Sequence, residues 1–434
     1  MLHMTRLRFA LHQFFRVTAA LIGGFALLLL SGCNKVHQVF SLSGPQSTMV
    51  TAGPVAARQW DLFMITVWVC TFIFIVVGSI LAYTQYRFRA KSEADEHAEV
   101  PAEAGHGNPF VEILLIAGSV ALLVIIAIPT VRDIWYTHDV PDDEKANAMD
   151  VTATGYQWWF KFEYPTELVK QANGGEAPLI TGNELVVPAG KPVRVQVRTV
   201  DVIHSFWVPK LAGKVDMMPN RANFLWFKAD KPGYYYGQCA EYCGESHAIM
   251  KFRVIALSAD DYKKWLANQK ASARTVTAQS LAAEGDIPRV KFASLKNVGP
   301  NSTLSGSTEF DADPFGSWKA MQNPEAGESA ELIATGRKNF TDKTCITCHT
   351  VRGHEGIGIA GPELTHVGAR SSIAAGVLEN TSERLHQWIK DPAYFKPGNK
   401  MYHGGYIDTT TGQPKFSLND TEIDAIVAYL HSLK

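Results

Sequence analysis

The hydrophobic period of this chain changes along its length, and each change marks a boundary. An apolar run from Ala19 to Leu30 comes first, and two longer apolar stretches follow at about 62–83 and 110–129. Each of the two longer stretches approaches the ~20 residues a helix needs to cross a bilayer. Beyond residue 150 the period falls to two, as in Val193-Arg194-Val195-Gln196-Val197 and Met250-Lys251-Phe252-Arg253-Val254. With Pro and Gly between such runs, this alternation predicts an antiparallel sandwich or barrel over 150–258. Ser258-Ala259-Asp260-Asp261 opens a short capped helix, after which residues to 328 are rich in Ala, Ser, Gly, Asn and Pro. That composition predicts a tether over 259–328. Helical spacing returns at Ala330–Phe340 and at Thr421–Leu433, where Ile423, Ile426, Val427 and Leu430 share a face and Asn419 with Glu422 is placed as a capping box.

Charge placement adds an orientation. Arg6, Arg8 and Arg16 precede the first apolar run, which ends in Leu30-Ser31-Gly32-Cys33, so residues 1–33 read as an export signal. The last four residues resemble a bacterial lipoprotein box, with Cys33 as the acylated mature N-terminus; a signal anchor with an incidental cysteine is the other reading. Arg87, Arg89 and Lys91 follow the first long span and place that short loop in the cytoplasm. The transmembrane hairpin then occupies 34–140, and everything beyond about residue 130 lies outside. Glu112 stands in the first turn of the second span, where it is either a residue favoured by the helix dipole or a proton-handling group.

A formal net charge of −1 gives no reason to expect a nucleic-acid partner. The cysteines are Cys33, Cys70, Cys239, Cys243, Cys345 and Cys348, two close pairs and two singles rather than a disulfide framework. Cys70, in mid-span, reads as a small apolar residue.

Between two strand-like runs lies Cys239-Ala240-Glu241-Tyr242-Cys243-Gly244-Glu245-Ser246-His247-Ala248-Ile249-Met250, and His204 ends another probable strand upstream. Two thiols, imidazoles and a thioether are soft donors that suit copper in an electron-transfer role better than zinc. A Cys239–Cys243 disulfide with a polar loop histidine is the competing reading. His204 followed by this loop resembles the copper-A site of cytochrome c oxidase subunit II. The resemblance implies that Cys239 and Cys243 bridge two coppers and that His204 and His247 are terminal ligands. Met250 would complete one copper and the Glu241 carbonyl the other. It also implies a magnesium ion shared with subunit I near the Glu241 side chain, a proton-channel mouth at Glu112, and an electron-accepting tryptophan at Trp158 in Gly155-Tyr156-Gln157-Trp158-Trp159-Phe160. Trp159 and Phe160 read equally well as packing residues.

Cys345-Ile346-Thr347-Cys348-His349 spaces two thiols for thioether bonds to haem, with His349 as an axial ligand. A thioredoxin-like dithiol is the other reading, and the absence of strand alternation around it argues against that. Met401 in Lys396-Pro397-Gly398-Asn399-Lys400-Met401 matches the methionine loop of class I cytochromes c, with His354, His366, His403 and His431 as competing donors. The order of segments resembles subunit II of the caa type of haem-copper oxidase. It implies a multidomain fold: a two-helix transmembrane hairpin, an all-β cupredoxin-like sandwich and an all-α cytochrome c domain over 329–434. It implies electron input from a cytochrome c or similar donor through covalent haem c and copper A to subunit I, with subunit III as a further partner, coupled to proton translocation. The location implied is the bacterial inner membrane, with both redox domains on the periplasmic side.

Overall fold

The structure is a computed structural model that describes residues 44–92, 108–171, 174–283, 313–325, 327–356 and 358–434. The export-signal run, Cys33 and the central part of the tether lie outside the described residues. A short N-terminal unit ends at Val50, and a compact unit runs from Thr51 to Lys434. In the former, residues 44–50 form turns and bends.

Two long helices open the compact unit: α1 (Pro54–Arg87) and α2 (Pro109–His138). Both carry Pro at the first helical position, where its missing N–H costs nothing, and Asn108 caps α2 by accepting from the Phe110 amide. The helices are 34 and 30 residues long, long and apolar enough to cross a membrane. Trp68, Phe72, Phe74, Leu115 and Ile116 project outward from them, which suits lipid and not water. At the end of α2, the Tyr136 carbonyl accepts from Trp226 Nε1 at 2.9 Å, so this helix is hydrogen-bonded to the β domain above it.

Among the described residues, ten strands of that domain form two five-stranded sheets. They are β1 (Met149–Tyr156), β2 (Trp159–Lys170), β3 (Glu176–Gly182), β4 (Glu184–Pro188), β5 (Val193–Thr199), β6 (His204–Trp207), β7 (Val215–Met217), β8 (Asn223–Phe227), β9 (Gly233–Cys239) and β10 (Lys251–Leu257). The sheet orders are β3-β2-β1-β5-β8 and β4-β10-β9-β6-β7. The sandwich is mixed rather than wholly antiparallel, because β1 pairs parallel with β5 and β4 with β10. Alternation reveals which face of a strand is buried but not which strand lies beside it, so the parallel pairs were not readable from the pattern. Phe252 sits at the centre of the core, its ring 4.6 Å from Phe160 and 4.7 Å from Phe206. Each such aromatic pair contributes about 0.5–1.5 kcal/mol beyond area burial.

Helix α3 (Ala259–Lys270) is capped by Ser258, whose hydroxyl accepts from the Asp261 amide, and it lays Trp265 on Tyr164. The described parts of the predicted tether include two further helices, α4 (Ala278–Ala283) and α5 (Pro314–Met321), and Trp318 of α5 is buried against the sandwich core. The C-terminal domain is built on α6 (Ala330–Asp342), α7 (Ser382–Lys390) and α8 (Asp420–Ser432). Ile333 and Phe340 of α6 pack on Ile423, Ile426, Tyr429 and Leu430 of α8. Gly336 permits the close approach, since a Cβ there would overlap the Ala425 carbonyl. The Asn419–Glu422 capping box starts α8.

Candidate redox centres

The loop between β9 and β10 gathers its donors because both flanking strands are held in register by main-chain pairing, down to Cys239 N donating to Met250 O. Cys239 Sγ lies 3.7 Å from Cys243 Sγ, and Cys243 Sγ lies 3.5 Å from His247 Nδ1 and 3.9 Å from Met250 Sδ. His204, at the start of β6, presents Nδ1 to Cys239 Sγ at 3.8 Å. The Glu241 carbonyl lies 3.3 Å from Cys239 Sγ. The two sulfurs are far outside the ~2.05 Å of a disulfide, and both cysteines are free. His204, Cys239 and Cys243 are buried and their ligand atoms mutually lie within 4.8 Å, a soft donor set that fits copper.

One of the two sulfurs is poised as a thiolate while the other keeps the proton, the Cys243 thiol being pushed well above its ordinary range by Cys239 and by burial. The proton shared between the cysteines holds the Cys239 thiol well below its ordinary range, with further help from His204 and from backbone contacts. Burial opposes charging of His204, but the Asp201 carboxylate and Cys239 outweigh it and raise its affinity for a proton. Asp201 Oδ1 bonds His204 Nε2 at 2.9 Å, and its other oxygen accepts from the Gln157 amide. This fixes the imidazole with Nδ1 toward the sulfurs. Sequence reasoning missed Asp201; the signal available was an acid three residues before the candidate histidine.

Trp158 is 7% exposed, and its Nε1 donates to the Cys243 carbonyl at 3.0 Å. Gln157 Nε2 donates to the same oxygen at 2.9 Å. Phe160 is a core residue between the sheets, whereas Trp159 stacks on Tyr156 with ring centroids 4.6 Å apart. The Glu241 side chain turns away from the sulfurs and pairs with Lys214 Nζ at 3.2 Å. Glu112 is exposed in the first turn of α2.

In the C-terminal domain, Cys345 and Cys348 flank a single helical turn that follows α6, and both are free. His349 donates from Nδ1 to the Pro362 carbonyl at 2.8 Å, which leaves Nε2 as the ligand atom. Burial lowers the proton affinity of His349, so the ring is held neutral, as metal ligation requires. This donor set fits a covalently held haem. Met401 begins a short π-helical turn ending at Tyr406. Three of the competing histidines are otherwise engaged. His354 bonds the Tyr429 hydroxyl, His366 contacts the carbonyls of Lys434 and Ala271, and His431 contacts Asn380. The side chain of His403 lies outside the described residues.

Fold and site together define a membrane-anchored protein in which a cupredoxin-like domain with a sulfur-rich metal loop is followed by a helical domain with a haem-attachment motif. Residues 149–257 match the family of the cytochrome c oxidase subunit II periplasmic domain, and residues 333–434 match the cytochrome c family. Cytochrome c oxidase subunit 2 of Alkalihalophilus pseudofirmus is 31% identical over 413 residues, covering 94% of this chain and 95% of that protein. The corresponding protein of Bacillus subtilis is 30% identical over 424 residues, covering 94% and 95%. The crystal structure of the periplasmic domain of subunit II of cytochrome oxidase from Bradyrhizobium japonicum shares 35% identity, covering 28% of this chain and 93% of that one, with a TM-score of 0.24. The chain belongs to the cytochrome c oxidase subunit II family, in a form that carries a fused cytochrome c domain.

Proposed function

We propose that this chain is the electron-input subunit of an aerobic haem-copper oxidase, passing electrons from a haem on Cys345, Cys348 and His349 through a copper pair to subunit I. The observation that carries the reading is the gathering of His204, Cys239, Cys243, His247 and Met250 around two unbonded sulfurs, with the Glu241 carbonyl beside them. When bound, the haem and the copper pair would each take up and release one electron at a time. The residues of the chain supply the rest. Cys239 and Cys243 would hold the coppers with their sulfurs, and β9 and β10 hold these two residues so that little would rearrange as charge changes. Asp201 orients His204. Trp158, bonded to the Cys243 carbonyl, would be the side chain through which an electron enters the copper site. Met401 would supply the second protein ligand to the haem iron.

Subunits I and III, a cytochrome c or similar donor and membrane lipid are the partners, and the location is the bacterial inner membrane with both redox domains periplasmic. Glu112 serves proton uptake into subunit I, coupled to proton translocation, and the Glu241 side chain, here paired with Lys214, would face a magnesium ion shared with that subunit. Cys33 carries the lipid.

Optical and electron-paramagnetic spectra of the chain, matured with haem and supplied with copper, test the proposal. The expected result is a c-type haem band with a methionine-sulfur charge-transfer feature and a mixed-valence dicopper signal. Haem without the dicopper signal would remove the central support.

A further inference from the structure

The electron-accepting face of the sandwich is covered by the chain itself. A turn of the C-terminal domain, 396–399, lies on the metal loop. Ser246 Oγ donates to the Pro397 carbonyl at 2.7 Å, and Lys396 Nζ donates to the Ile249 carbonyl at 3.1 Å and to Ala374 O at 3.2 Å. Gly398 has φ +72°, and a Cβ there would stand 2.9 Å from the Trp158 ring and 2.5 Å from the Glu245 carboxylate. Gly398, the residue of the turn without a side chain, therefore lies directly against the Trp158 ring.

A second set of bonds fixes this arrangement from the side. Glu184 of β4 is 5% exposed. Its Oε1 accepts from the Ser371 amide at 2.7 Å and from the Ser371 hydroxyl, and its Oε2 accepts from Trp318 Nε1 at 2.9 Å. All three donors belong to segments outside the sandwich: Ser371 to the C-terminal domain, Trp318 to α5. A buried carboxylate is tolerated only when its oxygens are satisfied, and charge-assisted hydrogen bonds are directional as well as strong. Beside it, Arg253 Nη2 donates to Gly376 O at 3.0 Å, Lys251 N to Ala375 O at 3.0 Å, and the Tyr234 and Ser371 hydroxyls lie 2.8 Å apart. These bonds set one register, which a generic apolar contact would not.

We propose that Glu184 is the positioning residue of the fused domain, locking it over Trp158 so that it acts as a fixed carrier and closes the copper domain to direct contact by an external donor. The proposal rests on the reading of Trp158 as the electron-accepting side chain. The tether confines the fused domain, and Glu184 sets where it rests.

Hydroxyl-radical footprinting of the full chain in its membrane-extracted complex, read by mass spectrometry at Trp158, tests this. In the unaltered protein Trp158 is protected. In Glu184→Ala, which removes all three hydrogen bonds to this carboxylate, its oxidation is expected to rise at least about tenfold, the population change that corresponds to losing even one hydrogen bond to a charged group. Trp226, buried in the sandwich beside α2, stays protected in both, which separates undocking from unfolding. Glu184→Gln, which keeps the shape and one accepting oxygen, restores most of the protection. Should Glu184→Ala fail to fold, Ser371→Ala removes one donor from the other side and gives a smaller rise. Oxidation of Trp158 already fast in the unaltered protein, or unchanged across the folded variants, would overturn the proposal. A missing dicopper signal together with unmasking of Trp158 in Glu184→Ala would leave the docking standing and count against the electron-input reading alone.

Discussion

In the sandwich, three of the donor residues stand at strand ends, His204 at the start of β6, Cys239 at the end of β9 and Met250 just before β10, and the loop between the last two carries Cys243 and His247. In the C-terminal domain, the candidate ligands sit on turns, with Cys345 to His349 after α6 and Met401 more than fifty residues further on, in a turn after α7. The first arrangement inherits its geometry from main-chain ladders that exist for other reasons. The second relies on local contacts such as His349 Nδ1 to the Pro362 carbonyl. A β scaffold thus presents a metal loop as a by-product of sheet register, whereas a helical shell must fix each ligand separately. This suits the proposed copper pair, which should not rearrange, and a haem that would be fastened covalently.

The contrast can be broken first at Cys243. Cys243→Ser is expected to abolish the dicopper signal while the haem spectrum stays unchanged, as copper analysis and optical spectra on the same sample would show; parallel loss of both would mean that the two centres are not independently built. A smaller effect is expected at Asp201. Asp201→Ala frees the His204 ring and should weaken copper binding by about 10–100-fold, the usual effect of removing a group that orients a metal-bound histidine. Chelator competition measures it, and unaltered affinity would show that β6 alone orients the ring. The smallest is in the helical shell, where Asn419→Ala removes the cap of α8 and should cost about 1 kcal/mol. Chemical denaturation followed at the haem band reads that change, and a loss several times larger would mean that α8 supports the site directly.

The sequence carried the architecture because each domain has its own period: unbroken apolar for the hairpin, two for the sandwich, helical for the last domain. The candidate metal residues were legible because most of them are crowded into one loop between two strands. His204 reads from the pattern as closing a strand, whereas it opens β6, because the chain turns between Thr199 and His204 before the next strand begins. What the pattern withheld was everything that depends on distant segments meeting. Asp201 behind His204 is close in sequence yet reads as an ordinary loop acid until the ring is seen to point at it. Glu184 reads as an unremarkable acid in Asn183-Glu184-Leu185, and only the fold brings Ser371 and Trp318 to it. The tether composition hid Trp318, an aromatic residue in a largely polar stretch, which is buried against the sandwich. The parallel β1–β5 and β4–β10 pairs were hidden for the same reason, since strand neighbours are set by the path of the chain and not by the period of its side chains.

The bond from Trp226 to the Tyr136 carbonyl turns α2 into a gauge for the whole external assembly. Because the sandwich is tied to the last turns of that helix, its height and azimuth over the bilayer are set by helix geometry. One residue inserted into those turns would rotate the metal loop by about 100° and lift it by about 1.5 Å. The aim of the metal loop over the membrane is therefore written in the residue count of a span that contributes no residue to either candidate site.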